Sequence, residues 1–215
     1  PGPGLVHLPG DPMERFRRTF SNIFTMIYGS MPQVLTSANL VHKSHNEIKG
    51  KIPYPAGAFH QDSEYRANEI NAMIWVHATL WETLVTMYEE LEEPLTQAEK
   101  DRFYEETKLF AMLFGIPESA LPRNWNEFMA YNQSMWYSPQ LTVTDNARKL
   151  KDDLFTARSV WLIFPLWIQE VVTAANLPAP IREGYGMEYG LWERMNNAWL
   201  MGSAEFTGWI LPDYL

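Results

Sequence analysis

His77 carries the most chemical potential in this chain of 215 residues. It falls in a run in which Ile70, Met73, Ile74, Leu80, Trp81, Leu84, Met87 and Tyr88 return every three or four residues, so its imidazole lies along the apolar stripe of a helix. Its flanks, Trp75 and Val76, are apolar as well. A neutral imidazole taken out of water has two ring nitrogens to satisfy, one as donor and one as acceptor. A metal on one nitrogen and a hydrogen bond on the other would do this, the second contact setting tautomer and ligand basicity. Two ordinary hydrogen bonds in a protein core would do it equally well.

His42 and His45, three residues apart, share a helical face and can assist proton movement near a bound oxygen species, or merely close the helix before a surface loop. A mononuclear zinc held by His42, His45 and His77 is a third arrangement, although the chain has neither HExxH nor any cysteine. Arg15, Arg18 and Thr19 fall on neighbouring turns. Their guanidinium groups can pair a propionate or polarise oxygen and the hydroxyl can donate a short hydrogen bond; as plain surface residues they would sit in water beside Glu14. Glu89, Glu90, Glu92 and Glu93 read as a solvated helix end, and the adjacent Glu105 and Glu106 do not face one another on a helix. GxGxxG before a strand, GxxxxGK[ST] and GxSxG are all missing, which leaves dinucleotide, phosphate-loop and serine-hydrolase readings without support.

The elements that must position these groups are helices. Asp11-Pro12 with Glu14 starts a first helix along which Phe16, Phe20, Ile23, Phe24 and Ile27 recur at helical spacing and which ends at Tyr28, before Gly29-Ser30. A second is expected over Pro32–Glu47, followed by an irregular loop from Gly50 to Gln61 with Pro53, Pro55 and Gly57. The third, capped by Asn68, runs from Ile70 to about Leu91 and holds His77. Thr96-Gln97-Ala98-Glu99 is a capping box opening a fourth helix that stops at Gly115. Further helices fit Asn124–Trp136, Thr144–Phe155 and Ala157–Ala175, the last kinked by Pro165, with two more after Pro178 and Pro180. No alternating series rich in valine and isoleucine supports a sheet, and no repeat or composition shift supports a second domain. The expectation is an irregular segment over residues 1–10 and one helical domain over 11–215.

Composition narrows the partners. A net charge of −9 repels phosphate backbones and anionic lipid surfaces, so nucleic acid is not an expected partner. With no cysteine there is no disulfide, thiolate ligand, iron–sulfur cluster or covalent c-type haem; this fits a reducing compartment, and a cytoplasmic location is the expectation. No run reaches the roughly 20 apolar residues that cross a bilayer. Hydrophobic residues at 46% and aromatics at 14% supply either a bulky core or the lining of a flat, lipophilic pocket.

Taken in order, Arg15-x-x-Arg18-Thr19, Tyr28-Gly29, His42 with Gly50, Tyr65-x-Ala67, Trp75-Val76-His77-Ala78-Thr79-Leu80, Phe103-Tyr104-x-Glu106, Gly115-Ile116-Pro117 and Leu177-Pro178 with Arg182-Glu183-x-Tyr185-Gly186 form a pattern. It resembles the family that groups the fungal mycophenolic-acid-pathway oxygenase (MpaB-like) with the catalytic domain of the bacterial rubber oxygenases, the latex clearing proteins. The likeness covers most of residues 11–190. It implies an all-α, globin-reminiscent, single-domain bundle of helices enclosing non-covalent haem b, with His77 as proximal iron ligand. It also implies Arg15, Arg18, Thr19 and His42 as distal catalytic groups, Arg18 and Thr19 lying against the haem. The rubber branch has lysine where this chain has Arg18, which does not readily deprotonate to bind iron, so an open or water-occupied distal side is expected. His42 matches a histidine of many members outside the rubber branch. Members commonly carry a helical segment before the Arg-x-x-Arg-Thr helix; part of the pocket wall is then missing here, or is supplied by another chain, as in a homo-oligomer. The implied activity is oxygenation of a lipophilic unsaturated or aromatic small molecule with dioxygen or peroxide. The alternative is a non-enzymatic helical module that binds haem or a protein partner.

Overall fold

In the computed structural model the backbone is described for residues 12–157 and 159–210, and the side chains for 14, 17–157 and 159–203. The segment 1–10, expected to be irregular, lies outside the described residues. The fold is all-α. Its helices are α1 (Pro12–Tyr28), α2 (Met31–Glu47), α3 (Ile70–Leu91), α4 (Gln97–Leu113), α5 (Trp125–Trp136), α6 (Asp145–Phe155), α7 (Val160–Asn176), α8 (Ala179–Gly184) and α9 (Leu191–Ile210).

Local chemistry accounts for most of the boundaries. At the start of α4, Thr96 Oγ1 accepts from the Glu99 amide at 3.3 Å, and a Glu99 carboxylate oxygen accepts from the Thr96 amide at 2.8 Å, so two otherwise orphaned donors are satisfied reciprocally. Ser30 and Gln33 form a similar pair at the start of α2. α4 ends where Gly115 takes φ +80°, a left-handed conformation that costs glycine nothing. α7 continues through Pro165. Asn68 does not cap α3: its amide donates to the His42 carbonyl at 3.2 Å and to Asn46 Oδ1 at 2.7 Å, tying the approach to α3 to the end of α2.

The expected loop after α2 contains a small antiparallel pair, β1 (Lys49–Lys51) and β2 (Glu64–Arg66), in the register Lys49↔Arg66, Gly50↔Tyr65 and Lys51↔Glu64. Three residues are too few for a period of two to stand out from sequence. Glycine at position 50 leaves room for the Tyr65 ring; a Cβ there would stand 2.8 Å from Tyr65 Oη, and the ring would have to shift.

The chain divides into two compact units, residues 1–81 with 96–132 and residues 82–95 with 133–215. In the first, Ile74, Ala111, Ile116 and Leu121 form one buried cluster, with Met73 and Tyr131 against it. A second cluster joins Met26, Ala38 and Phe110, flanked by Ile23, Val41, Trp81 and Phe114, so that α1 and α2 close over α4. In the second unit α7 packs on α6 and α9, and Arg182 donates to the carbonyls of Ala174 and Leu177 at 3.1 and 3.0 Å. Along α3 the buried stripe is Ile74, His77, Ala78 and Val85, with Trp81 half-buried. Ile70, Leu80, Leu84 and Tyr88, which the periodicity placed inward, are exposed. The helix carries more apolar residues than one stripe holds. The stripe that is buried is the one with Ala78, whose small side chain permits close approach.

Candidate functional site

α3 buries His77 to 5% exposure. One turn on, the helical spacing sets Trp81 beside it, and the Trp81 indole Nε1–H donates to His77 Nδ1 at 3.0 Å. Trp81 is itself held by α4, meeting Phe103 and Phe110 edge-to-face with ring centroids 5.7 and 5.2 Å away. An indole nitrogen donates and never accepts, so Nδ1 presents its lone pair and the neutral ring carries its proton on Nε2. That Nε2 is buried and has no hydrogen-bonding partner among the described residues. Burial lowers the His77 pKa to about 4, so the ring is uncharged at neutral pH. A buried donor left unmade costs about 1–3 kcal/mol, so Nε2–H calls for an acceptor, and a metal there would require the ring to carry its proton on Nδ1 instead.

The other groups singled out from sequence stand apart from it. Arg18 and Thr19 are exposed on α1, His42 is exposed on α2, and the Arg15 side chain lies outside the described residues. Among the described residues none of them is hydrogen-bonded to His77. His45 is half-buried with Nδ1 unpartnered, and burial lowers its pKa against the opposing effect of Asn68. It lines a polar cleft with Lys49, Glu64, Arg66 and Asn68, and His77 does not line that cleft. Among the described residues no three histidine, aspartate or glutamate side chains are gathered as a metal site would need, so the zinc arrangement of His42, His45 and His77 is not assembled. Exposed apolar side chains occur on α3 and on α1. Val76 and Leu80 flank His77 and are exposed, and Phe20, Phe24 and Tyr28 form an exposed ladder along α1 with centroids 6.3 and 6.1 Å apart.

Sequence reasoning passed over a buried cation. Lys108 of α4 is 7% exposed; its Nζ donates to Glu105 at 2.6 Å and to the Arg123 carbonyl at 3.0 Å, and stands 5.4 Å from the centre of the Tyr104 ring. Glu105 three residues earlier was the available signal, but such a pair usually lies on a solvated face. Tyr104 is fully buried on Phe128, with centroids 4.7 Å apart, and burial, with Glu105 and Glu127 adding to it, raises its phenol well above the ordinary range. Glu106 pairs at the surface with Arg102 at 3.2 Å.

No helix among the described residues is long and apolar enough to cross a membrane. Comparison with curated proteins and with solved structures gives no match. Over residues 5–209 the chain matches the family described as ER-bound oxygenase mpaB/B'/Rubber oxygenase, catalytic domain. The match runs over nearly the whole length and includes the helix that buries His77, and the chain belongs to this family of oxygenase catalytic domains.

Proposed function

We propose that the protein is a haem-b-dependent oxygenase acting on a lipophilic unsaturated or aromatic small molecule, with His77 as the proximal ligand of the iron. The observation that carries this reading is the buried Nε2 of an uncharged ring, which no described protein group partners, in a chain of an oxygenase family; to hold iron there the ring would carry its proton on Nδ1, with the Trp81 indole turned from it. Haem, when bound, would supply the activation of dioxygen or peroxide. His77 would hold the iron, and the aromatic set of Trp81, Phe103 and Phe110 would exclude water from that side. Arg15, Arg18 and Thr19 are proposed to donate hydrogen bonds to negative charge developing on oxygen during transfer, and His42 to hold or move a proton. Phe20, Phe24 and Tyr28 share α1 with Arg18 and Thr19 and supply apolar surface for such a substrate. A cytoplasmic location and a homo-oligomeric state belong to the same reading.

The experiment is an ultraviolet–visible titration of the full chain with haemin, with metal analysis, followed by reduction and carbon monoxide. A Soret band that forms stoichiometrically, shifts with carbon monoxide and is lost in His77→Ala supports the reading. A chain that binds no haem, or that binds it equally well as His77→Ala, overturns it in favour of a non-enzymatic helical module.

A further inference from the structure

We propose that the cleft between the outer face of the β1–β2 pair and the end of α2 binds a small zwitterion, a molecule such as an amino acid that carries both a carboxylate and an ammonium. The cleft stands apart from the haem reading, since His77 does not line it and no group in it is asked to hold iron.

Strand register creates the charge pattern. The Ala67 amide donates to the Ile48 carbonyl and the Ile52 amide to the Ser63 carbonyl, each at 2.9 Å, so Ile48 with Ala67 and Ile52 with Ser63 are hydrogen-bonded pairs. Lys49 with Arg66 and Lys51 with Glu64 are then the non-hydrogen-bonded pairs, whose side chains stand closest, with Cβ atoms about 4.5–5.5 Å apart. Tyr65 lies against Gly50 on the inner face, and the four charged side chains share the outer one. Two cations set directly opposite one another repel, a cost that the folding of the pair gives no reason to carry. Glu64 answers one of them, standing opposite Lys51 and 3.7 Å from Arg66. Lys49 has no ion pair among the described residues.

The cleft has a volume of about 570 Å³, within the range of small-molecule sites, and is walled by Lys49, Glu64, Arg66, His45, Asn68 and Glu69. Asn68 fixes one wall by donating to the His42 carbonyl and to Asn46 Oδ1. Glu69, just before α3, is the counterpart of Lys49: it too is exposed and without an ion pair among the described residues. Two opposite charges therefore line one cleft without closing on each other. A ligand that spans them is anionic at one end and cationic at the other. Its carboxylate would sit between Lys49 and Arg66, relieving their repulsion through two charge-assisted contacts, and its ammonium would meet Glu69. Arg66 can serve both this carboxylate and Glu64, because a guanidinium has five N–H donors. A plain anion would gain the first contact but face the carboxylates of Glu64 and Glu69, and the field of a chain with net charge −9 repels it; a zwitterion has no net charge for that field to act on. These six walls are polar side chains, so the molecule is hydrophilic, unlike the lipophilic substrate of the haem reading.

The test is a titration of the full haem-free chain, followed in amide proton–nitrogen spectra at constant ionic strength. The probes are glycine, β-alanine and γ-aminobutyrate, which space the two charges progressively, with acetate and methylammonium as single-charge controls. At least one amino acid should give saturable shifts confined to residues 45–69, with the millimolar affinity that partly exposed ion pairs allow, and Lys49→Gln and Glu69→Gln should each weaken it about fivefold. Both positions are exposed, so the variants are expected to fold, which circular dichroism checks. In the ligand-free chain Lys49→Glu puts a carboxylate opposite Arg66 and should raise the melting temperature while abolishing the shifts. No shift in this segment with any amino acid overturns the proposal. Acetate binding as tightly as the amino acids shows a plain anion site and overturns it, as does an affinity that neither glutamine substitution changes. A lower melting temperature in Lys49→Glu removes the opposition of the two cations, and the proposal with it.

Discussion

Protonating His77 is a perturbation whose cost follows from the burial of its ring. The unfolded chain takes up that proton near pH 6.5, whereas in the folded chain desolvation lowers the value to about 4. Between these values the unfolded state binds more protons, so stability is complete above pH 6.5, falls as the pH drops through the window, and stops falling below about pH 4. At about 1.36 kcal/mol per pH unit the window is worth about 3 kcal/mol, a large part of the 5–15 kcal/mol that holds a typical domain together. The assay is urea unfolding of the haem-free chain at intervals from pH 7.5 to 4, in parallel with His77→Gln. Glu99, held below the usual carboxylate range by Thr96, and Glu127, held there by Arg123, also lose stabilisation in acid, but they do so in both proteins. The difference between the two profiles isolates the histidine. The unsubstituted chain should lose about 3 kcal/mol more across the window, with a steepest slope near 1.4 kcal/mol per pH unit. Parallel profiles would mean that the ring is solvated in the folded state, and the argument for a ligand at Nε2 would fail with it.

Three further outcomes follow from the packing around the site. Ile116→Ala empties a position that is 2% exposed among Ile74, Ala111 and Leu121, and should cost about 2–5 kcal/mol in urea unfolding at pH 7. Glu105→Ala takes the paired carboxylate from the Lys108 ammonium, leaving it only the Arg123 carbonyl and the Tyr104 ring as neutral neighbours, and should destabilise more than Lys108→Met, which removes the buried charge while keeping the stem; the reverse order in thermal melts would contradict the burial of Lys108. Gly115→Ala meets no atom within 4 Å but forces alanine to φ +80°, so it should cost about 1–2 kcal/mol with an unchanged m-value.

The helices were legible because their signals are local. Thr96 and Glu99 make the box their spacing announces, Gly115 ends α4, and α3 spans the predicted Ile70 to Leu91. Which face of α3 is buried was not legible in full, because periodicity reports that apolar residues recur and not which stripe a neighbour covers; Ile70, Leu80, Leu84 and Tyr88 recur as faithfully as Ile74 and His77 and stay exposed. Asn68 has the right chemistry for a cap, but it spends its amide on α2, a partner more than 20 residues away in sequence that no local rule anticipates. At the site, the burial of His77 came from its apolar flanks. Its hydrogen bond from Trp81 was within reach of the i, i+4 rule but was read only as packing, since both residues lay on an apolar stripe. Lys108 was missed for the opposite reason: lysine is so rarely buried that its chemistry points to the surface until Tyr104 and the Arg123 carbonyl are seen around it.

The distribution of polar and apolar groups in the first unit also bears on which metal His77 would hold. A chain shaped for its own stability buries apolar surface and exposes polar atoms. This unit departs from that in two respects: it buries an unpartnered imidazole nitrogen on α3, and it leaves Val76 and Leu80 of that helix, and Phe20, Phe24 and Tyr28 of α1, exposed. A bare cation answers only the first of these: zinc would satisfy Nε2 but cover no apolar surface, and it would need further ligands that are not gathered among the described residues. A planar hydrophobic ligand that brings its own four nitrogens to the metal needs a single histidine from the protein and covers apolar side chains around it. The haem reading proposed above would answer both respects, and a zinc reading only the first. The choice can be tested by asking whether haemin, unlike zinc, lowers the surface hydrophobicity of the chain as read by a solvatochromic dye.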